Sequence, residues 1–194
     1  MSKNLRNVLV IVVTAVVILA GLWLVKGPWR QPGSAGTAPS GVTSVDVNVP
    51  AGQAAPAVGR PAADFSATTI TGDSISLSGW RGQPVWLLFG ATWCTDCRVE
   101  APDIQAVSQA FAGRVQVVAV YVGEDQATVQ DYANRLGLTY HQIADVADTI
   151  AGSYAVMGIP AHFFIDADGV IQTIRVGAIT RQDAIDQLTA LLGG

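Results

Sequence analysis

Cysteine is scarce in this 194-residue chain, which has only two, Cys94 and Cys97. A secreted domain held together by disulfides carries more cysteines at wider spacings, so that class of protein is excluded. A structural zinc site needs two further ligands, and the two histidines, His141 and His162, do not lie at ligand spacing from the pair. The sequence therefore predicts no metal site, and redox chemistry is the leading interpretation of the Cys-x-x-Cys motif.

Charged residues are also scarce, at 13% of the chain, and positive charge is sparse in its larger, C-terminal part. From residue 60 onward, seven arginines and no lysine stand against fourteen acidic residues, which gives a net charge of −7. Contacts to nucleic-acid phosphates need clustered lysine or arginine. The composition therefore argues against a nucleic-acid-binding protein.

One long apolar run lies near the start of the chain, and its 18 residues, 8–25, contain no charge. A membrane-spanning helix needs roughly 17–25 apolar residues, whereas the core of a cleaved signal peptide has about 7–15. We therefore expect residues 1–26 to form an uncleaved, single-pass signal anchor in the cell membrane, with the larger part of the chain on the extracytoplasmic side. A cleaved signal peptide is the alternative.

Residues 27–59 are rich in Gly, Pro, Ser and Ala, a composition typical of a flexible tether. Apolar and polar residues alternate at 45–49, so a short strand is possible within the tether. The folded domain is predicted to occupy residues 60–194.

The order of predicted elements in this domain is that of an α/β protein with a mixed central sheet and helices on both faces. The apolar run at 84–89 predicts a strand buried on both faces, and a helix is expected from the cysteines to about Ala112. Thr180 is predicted to cap a last helix that ends at Leu192. The other elements are predicted as hairpins at 67–77 and 160–176, strands at 115–122 and 139–143, and helices at 125–136 and 146–154.

Cys94 follows the predicted buried strand and precedes the predicted helix. Unpaired N–H groups of a first helical turn carry partial positive charge and stabilise a thiolate, which is the form that attacks disulfides. We therefore expect Cys94 to be the exposed attacking residue and Cys97, one turn further on, to be the shielded resolving residue. The alternative is a permanent stabilising disulfide, although closing so small a loop removes little entropy from the unfolded chain.

A second element of the candidate site is Gly158-Ile159-Pro160, directly before a predicted strand. If the Ile159–Pro160 bond is cis, the Ile159 backbone faces outward beside the cysteines and can pair with an extended substrate by strand addition. Only about 5–6% of X–Pro bonds are cis, so an ordinary trans proline is the alternative. The residues alone leave both alternatives open.

From residue 60 to residue 192 the sequence resembles the membrane-anchored TlpA/ResA-type family of thioredoxin-like proteins. The matching stretches are GRPAADF at 59–65, LSGWRGQP at 77–84, ATWCxxCR at 91–98, ExP at 100–102, GIP at 158–160 and FIDxDG at 164–169. The resemblance implies a thioredoxin-like fold, an attacking Cys94, a resolving Cys97, a cis Pro160 and a helix kinked at Pro102. It also implies one transmembrane anchor and a domain outside the cytoplasmic membrane.

Some members of this family reduce apocytochrome c for haem attachment, and others serve copper-site proteins. We therefore expect a monomeric thiol–disulfide oxidoreductase that needs no cofactor. Its predicted substrates are protein disulfides, for example in apocytochrome c or a copper-site protein, and its predicted electron donor is a membrane thiol carrier.

Two positions depart from the family pattern. Asp96 stands before the second cysteine, where the family usually has proline, and Ala161-His162 follow Pro160, where it usually has threonine. A carboxylate near the thiols disfavours a thiolate, so Asp96 is predicted to make the pair a better reductant. An interaction with the helix dipole is the alternative role for Asp96. His162 is interpreted as a strand-face residue rather than a catalyst.

Three further residues are noted near the motif. Glu100 shares a helix face with Cys97, and the resemblance suggests that it moves protons for the resolving thiol; the alternative is a solvated helix residue. Trp93 is expected to pack beside the cysteines and shape the substrate surface. Leu88 stands six residues before Cys94, where cytoplasmic thioredoxins keep a buried aspartate.

Two other functions are alternatives. A peroxiredoxin needs threonine three residues before its reactive cysteine, and Ala91 stands there instead. A Cu(I) carrier could use the two thiolates, which are soft ligands, although no methionine or histidine lies close to them in sequence. Copper titration of the reduced protein would separate the carrier from the enzyme.

Overall fold

The computed structural model describes residues 45–48 and 55–193. Within them the chain alternates between strands and helices, as the sequence predicts. The strands are β1 (Val45–Asn48), β2 (Asp64–Thr68), β3 (Ser74–Ser76), β4 (Val85–Gly90), β5 (Gln116–Val122), β6 (His141–Asp145), β7 (Ala161–Ile165) and β8 (Ile171–Val176). The helices are α1 (Thr95–Ala110), α2 (Gln126–Leu136), α3 (Thr149–Ser153) and α4 (Arg181–Leu192).

The main sheet has five strands in the order β6-β5-β4-β7-β8. Strand β4 lies at its centre, parallel to β5 and antiparallel to β7, and all six of its residues are buried. This explains why the run at 84–89 is continuously apolar rather than alternating. The predicted mixed sheet is confirmed, and its central strand leads directly to the cysteines.

The two faces of β4 build two separate cores. Trp86 and Leu88 pack on one face with buried residues of α1, α2 and α4. Leu87 and Phe89 pack on the other face with β2 and α3. Helix α1 is therefore held against the face of the sheet that Trp86 and Leu88 occupy.

The ends of two helices follow the capping residues of the sequence. The Asp125 carboxylate accepts a hydrogen bond from the Thr128 N–H at 2.9 Å, and Gly137 ends α2 with a φ of 64°. Thr180 and Asp183 form a reciprocal capping box at the start of α4. Both predicted helices are confirmed.

One predicted helix is shorter than expected. The sequence predicts a helix at 146–154 after a strand at 139–143, but β6 runs to Asp145 and α3 begins only at Thr149. The buried Asp145 carboxylate accepts hydrogen bonds from the N–H groups of Thr149 and Ala151, both at 2.9 Å. Asp145, the last residue of β6, therefore pairs with first-turn N–H groups of α3, and residues 146–148 form the connection between the two elements.

Strand β1 lies inside the segment predicted as a tether, at the position where alternation allowed a strand. It pairs with β2 in antiparallel register, with Val47 opposite Phe65, and β2 pairs with β3 to complete a small three-stranded sheet. Val45 and Val47 pack against the core on the Phe65 side. This part of the segment is therefore a strand of the domain rather than flexible chain.

The predicted anchor at residues 1–26 and most of the predicted tether lie outside the described residues. Across 45–48 and 55–193, the helices are all too short or too polar to cross a membrane.

Candidate active site

The two cysteines form a disulfide where β4 leads into α1. Cys94 is the N-cap residue of α1, and its sulfur accepts a hydrogen bond from the Cys97 N–H at 3.2 Å. A first-turn N–H therefore points at the Cys94 sulfur, as expected for a cysteine at a helix N-terminus. The same donor favours a thiolate at this atom once the disulfide is reduced.

Both cysteines are buried in the disulfide form, with 7% of Cys94 and 8% of Cys97 exposed. Their surroundings differ: Trp93, beside Cys94, is 68% exposed, whereas the Cys97 sulfur lies against Gly90 and borders an internal cavity. A Cβ at position 90 would lie 3.3 Å from this sulfur, so glycine leaves room for it. The order in which the two thiols react concerns the reduced protein and stays a prediction.

The Ile159–Pro160 peptide bond is cis, as the family resemblance implies. Ile159 packs against the cluster of Ala91, Cys94 and Cys97, so the loop before β7 lies directly beside the disulfide. The Pro160 carbonyl accepts a hydrogen bond at 2.8 Å from the backbone N–H of Gly177, the residue that directly follows β8. Among the described residues, the backbone of Ile159 has no hydrogen-bond partner.

Glu100 is buried beneath the cysteines, with 4% of the residue exposed, so the interpretation as a solvated helix residue is wrong. It lies on α1, one turn after Cys97. Its Oε2 accepts a hydrogen bond from the Ile179 N–H at 3.3 Å and lies 3.6 Å from His162 Nε2. A carboxyl group is therefore held inside the domain close to the resolving cysteine.

A small cavity of about 20 Å³ connects this carboxyl group with the disulfide. This volume is enough for one water molecule, which needs roughly 10–15 Å³. Leu88 is part of the wall, so the strand position at which cytoplasmic thioredoxins keep an aspartate faces the same space. The residues that line the cavity are Leu88, Gly90, Cys97, Glu100, Ala101, Ile104, Ala119, Tyr121, Tyr132 and Tyr140.

The three tyrosines of the cavity wall stay neutral at physiological pH. Burial raises the pKa of Tyr121, Tyr132 and Tyr140 above the ordinary value of a phenol, because desolvation disfavours the phenolate. Among the groups that line the cavity, Cys97 and Glu100 are therefore the ones that can exchange a proton with each other.

His162 is fully buried on β7, where it pairs in register with Leu88 of β4. Its Nδ1 accepts a hydrogen bond from the Trp86 indole N–H at 3.4 Å. His162 does lie on a strand face, as predicted, but that face meets Glu100. Sequence reasoning missed this proximity, because nothing in a single sequence gives the register between β4 and β7.

Glu124 is a second functional candidate that the sequence did not reveal. Its carboxylate accepts hydrogen bonds from the Thr92 N–H at 2.7 Å and from the Thr92 hydroxyl at 2.5 Å. Thr92 is two residues before Cys94, so Glu124 fixes the loop that carries the first cysteine. The two residues are 32 positions apart, and no motif links them.

Asp96 lies exposed in the first turn of α1, a position at which an acidic side chain also interacts favourably with the helix dipole. Its predicted effect on the redox chemistry stays a prediction.

Exposed apolar side chains occur on both segments of the chain that carry the candidate site. Trp93 and Val99 flank the motif on the α1 side, and Met157, two residues before Ile159, is 97% exposed on the other. Val176, which pairs with Ala161 at the end of β8, is also exposed. Such exposed apolar side chains are available for contact with another macromolecule.

The comparison with protein families gives one match, to the AhpC/TSA family over residues 58–174. The curated relatives include the thiol-disulfide oxidoreductase ResA of Geobacillus kaustophilus strain HTA426, which is 36% identical over 128 residues. That alignment covers 66% of this chain and 74% of the relative.

Solved structures have the same fold. A thiol:disulfide interchange protein of the thioredoxin family from Chlorobium tepidum TLS superposes with a TM-score of 0.65 at 28% identity, covering 72% of this chain and 100% of the other. A secreted disulfide oxidoreductase of Mycobacterium tuberculosis, homologous to E. coli DsbE, gives a TM-score of 0.60 at 27% identity, covering 65% and 95%. The predicted thioredoxin-like fold is thereby confirmed.

Proposed function

This chain belongs to the AhpC/TSA family and is a thiol–disulfide oxidoreductase, and we propose that it reduces protein disulfides outside the cytoplasm. The observation that carries the proposal is the Cys94–Cys97 disulfide at a helix N-terminus, with a buried carboxyl group behind it and a cis-proline loop beside it. This arrangement provides an attacking sulfur, a resolving sulfur and a proton acceptor within one site.

In the first step, the Cys94 thiolate attacks one sulfur of the substrate disulfide. A bond forms between Cys94 and that sulfur, the substrate S–S bond breaks, and the other substrate sulfur leaves as a thiolate that takes a proton from water. The Cys97 N–H, which points at the Cys94 sulfur, favours the attacking thiolate.

In the second step, Cys97 resolves the mixed disulfide. Its thiol gives a proton to the Glu100 carboxylate through the shared cavity, and the resulting thiolate attacks Cys94. The Cys94–Cys97 disulfide forms, and the second substrate sulfur leaves. Two electrons pass from the dithiol to the substrate, and we propose that a membrane thiol carrier restores them.

The substrate is proposed to bind as an extended segment along the cis-proline loop. Because the Ile159 backbone has no partner among the described residues, it is free to pair with a substrate strand next to the disulfide. The exposed side chains of Trp93, Val99 and Met157 favour a protein partner over a small thiol.

Reduction is favoured over oxidation by the residues between the cysteines. Strong oxidants of this fold stabilise their thiolate with positive groups or donors, whereas Thr95 is neutral and Asp96 is an anion. A single-pass anchor would place the domain beside membrane partners. The proposed role in cytochrome c maturation comes from the family resemblance, because some members of the TlpA/ResA-type family reduce apocytochrome c. Apocytochrome c or a copper-site protein is the proposed substrate class.

Trapping of the mixed disulfide tests this function. A Cys97→Ser chain, expressed with its anchor in the cell of origin, is expected to remain covalently bound to its substrate through Cys94. Cys94→Ser is the matched control, since it lacks the attacking sulfur. Reducible adducts in the first variant, absent from the control, support the proposal; adducts that form through Cys97 alone would contradict it.

A further inference from the structure

We infer that His162 is a positioning residue for the proton transfer at Cys97. Trp86 holds its ring in one neutral tautomer, whose Nε2–H faces the Glu100 carboxylate from 3.6 Å and closes to a hydrogen bond with it when the Cys97 proton is transferred. This inference rests on the proposed function, in which Glu100 receives the Cys97 proton.

The first observation is that two buried polar atoms lack a partner. Among the described residues, the buried side-chain nitrogen and oxygen atoms without a hydrogen bond are Glu100 Oε1 and His162 Nε2. They belong to adjacent side chains, because His162 Nε2 lies 3.6 Å from Glu100 Oε2. Glu100 also lines the cavity that Cys97 borders, so these two polar groups lie next to a reactive cysteine.

The second observation fixes the tautomer of His162. An indole N–H only donates, so the Trp86 hydrogen bond requires a lone pair on His162 Nδ1. The ring proton of a neutral imidazole then lies on Nε2, the atom that faces Glu100.

The neutral state matters for the chemistry of Glu100. A cationic histidine would form an ion pair with the carboxylate and make it a weaker base. A neutral Nε2–H that closes on Oε2 during the transfer would orient the carboxylate and leave it able to accept a proton. The Ile179 N–H and His162 both approach Oε2, which leaves Oε1 as the oxygen available to the Cys97 proton.

The contacts among Trp86, His162 and Glu100 lie next to a position at which this sequence departs from the family pattern. His162 follows Ala161, which stands directly after the cis-proline where the family usually has threonine, and Trp86 of the neighbouring strand donates to its ring. Trp86, His162 and Glu100 come from β4, β7 and α1. The two strands and the helix that position the disulfide therefore also position the Glu100 carboxyl group.

Stopped-flow reaction of the reduced full chain with dithiobis(nitrobenzoate) separates the two steps. The first thionitrobenzoate is released when Cys94 attacks the reagent, and the second when Cys97 resolves the mixed disulfide. His162→Leu is expected to slow the second release by about tenfold. This is less than the roughly 100-fold or more that a positioned proton acceptor contributes to a rate, because Glu100 itself remains. The first release should be unchanged.

Two conservative variants distinguish hydrogen bonding from packing. A glutamine amide carries an acceptor and a donor on one planar group, as the neutral imidazole does, so His162→Gln should keep the second rate within about twofold of the parent. The shorter His162→Asn keeps an acceptor for Trp86 but falls short of Glu100, and should be as slow as His162→Leu. His141→Leu, at the other histidine, is the control and should leave both rates unchanged.

Combination with Glu100→Gln completes the test. If His162 acts through Glu100, His162→Leu adds no further slowing in the Glu100→Gln chain. A second release at the parent rate in His162→Leu, full slowing in His162→Gln, or additive slowing in the double variant would overturn the inference. A parent chain that releases no first thionitrobenzoate would instead contradict the proposed function.

Discussion

The Glu124 carboxylate accepts two hydrogen bonds from Thr92, one from the backbone N–H at 2.7 Å and one from the hydroxyl at 2.5 Å. Glu124 lies between β5 and α2, whereas Thr92 lies in the loop between β4 and the first cysteine. The contact therefore joins the carboxyl ends of two parallel strands at the point where α1 begins. It holds the loop in the conformation that makes Cys94 an N-cap residue.

Glu124→Ala is expected to lower the free energy of unfolding by about 2 kcal/mol, because hydrogen bonds to a charged group contribute about 1.5–3 kcal/mol and the Thr92 N–H loses its partner. Urea unfolding of the oxidised chain measures this change. Asp131→Ala is the matched control, since it removes an exposed ion pair to Arg135 that should contribute under about 0.5 kcal/mol. Equal losses of unfolding free energy in the two variants would show that the Thr92 contact stabilises the fold no more than an exposed ion pair does.

Val47→Ala tests whether β1 is part of the domain. Val47 is half-buried opposite Phe65, so its truncation should lower the free energy of unfolding by about 1 kcal/mol. Asp46→Ala, at the exposed neighbouring position, should change it by less than about 0.5 kcal/mol. If the two variants were equally stable in a urea titration, β1 would not contribute to the fold.

Much of this fold could be predicted from the sequence because local signals agree with tertiary structure. The apolar run at 84–89 predicted the central strand, and the capping residue Thr180 predicted the start of the last helix. The helix α3 was predicted too long, since its cap comes from the buried Asp145, outside the helix. Because Asp145 lies at the end of β6, four residues before Thr149, its position in the sequence does not mark where the helix begins.

The candidate site was predictable only in part. The Cys94-x-x-Cys97 motif and its helix position follow from local sequence, and the family resemblance supplied the cis bond at Pro160. The partners of Glu100 did not follow, because His162 reaches it only through strand register.

The stability of the chain should fall in acid through the N-cap of α2. The hydrogen bond from the Thr128 N–H lowers the pKa of the Asp125 carboxyl below its ordinary value. A lowered folded pKa means that the carboxylate stabilises the fold above the unfolded pKa of about 3.9, and that this contribution is lost as pH falls through the folded pKa.

Asp125→Asn isolates this effect, because asparagine also caps helices but does not ionise. Urea midpoints between pH 6 and pH 2 should show the variant less stable than the parent at pH 6, with the difference vanishing toward pH 2. A difference that stays constant across this range would assign the effect to cap geometry and not to charge.

The charge of Asp96 should affect the redox chemistry. A carboxylate near the thiols disfavours the thiolate and hence the reduced form, so Asp96→Asn should raise the reduction potential. Asp103→Asn, further along α1 and paired with Arg181, is the control and should leave the potential unchanged. An unchanged potential in Asp96→Asn would return Asp96 to a structural role at the helix N-terminus.

The reduction potential of the Cys94–Cys97 pair decides whether the protein reduces or oxidises its substrates. Equilibration of the full chain against glutathione buffers, read by Trp93 fluorescence with Trp93→Phe as the spectroscopic control, gives this value. We expect a potential closer to the roughly −270 mV of thioredoxin than to the roughly −120 mV of the strongest oxidant of this fold. A potential above about −180 mV, the range of disulfide isomerase, would contradict it and make the protein a disulfide donor.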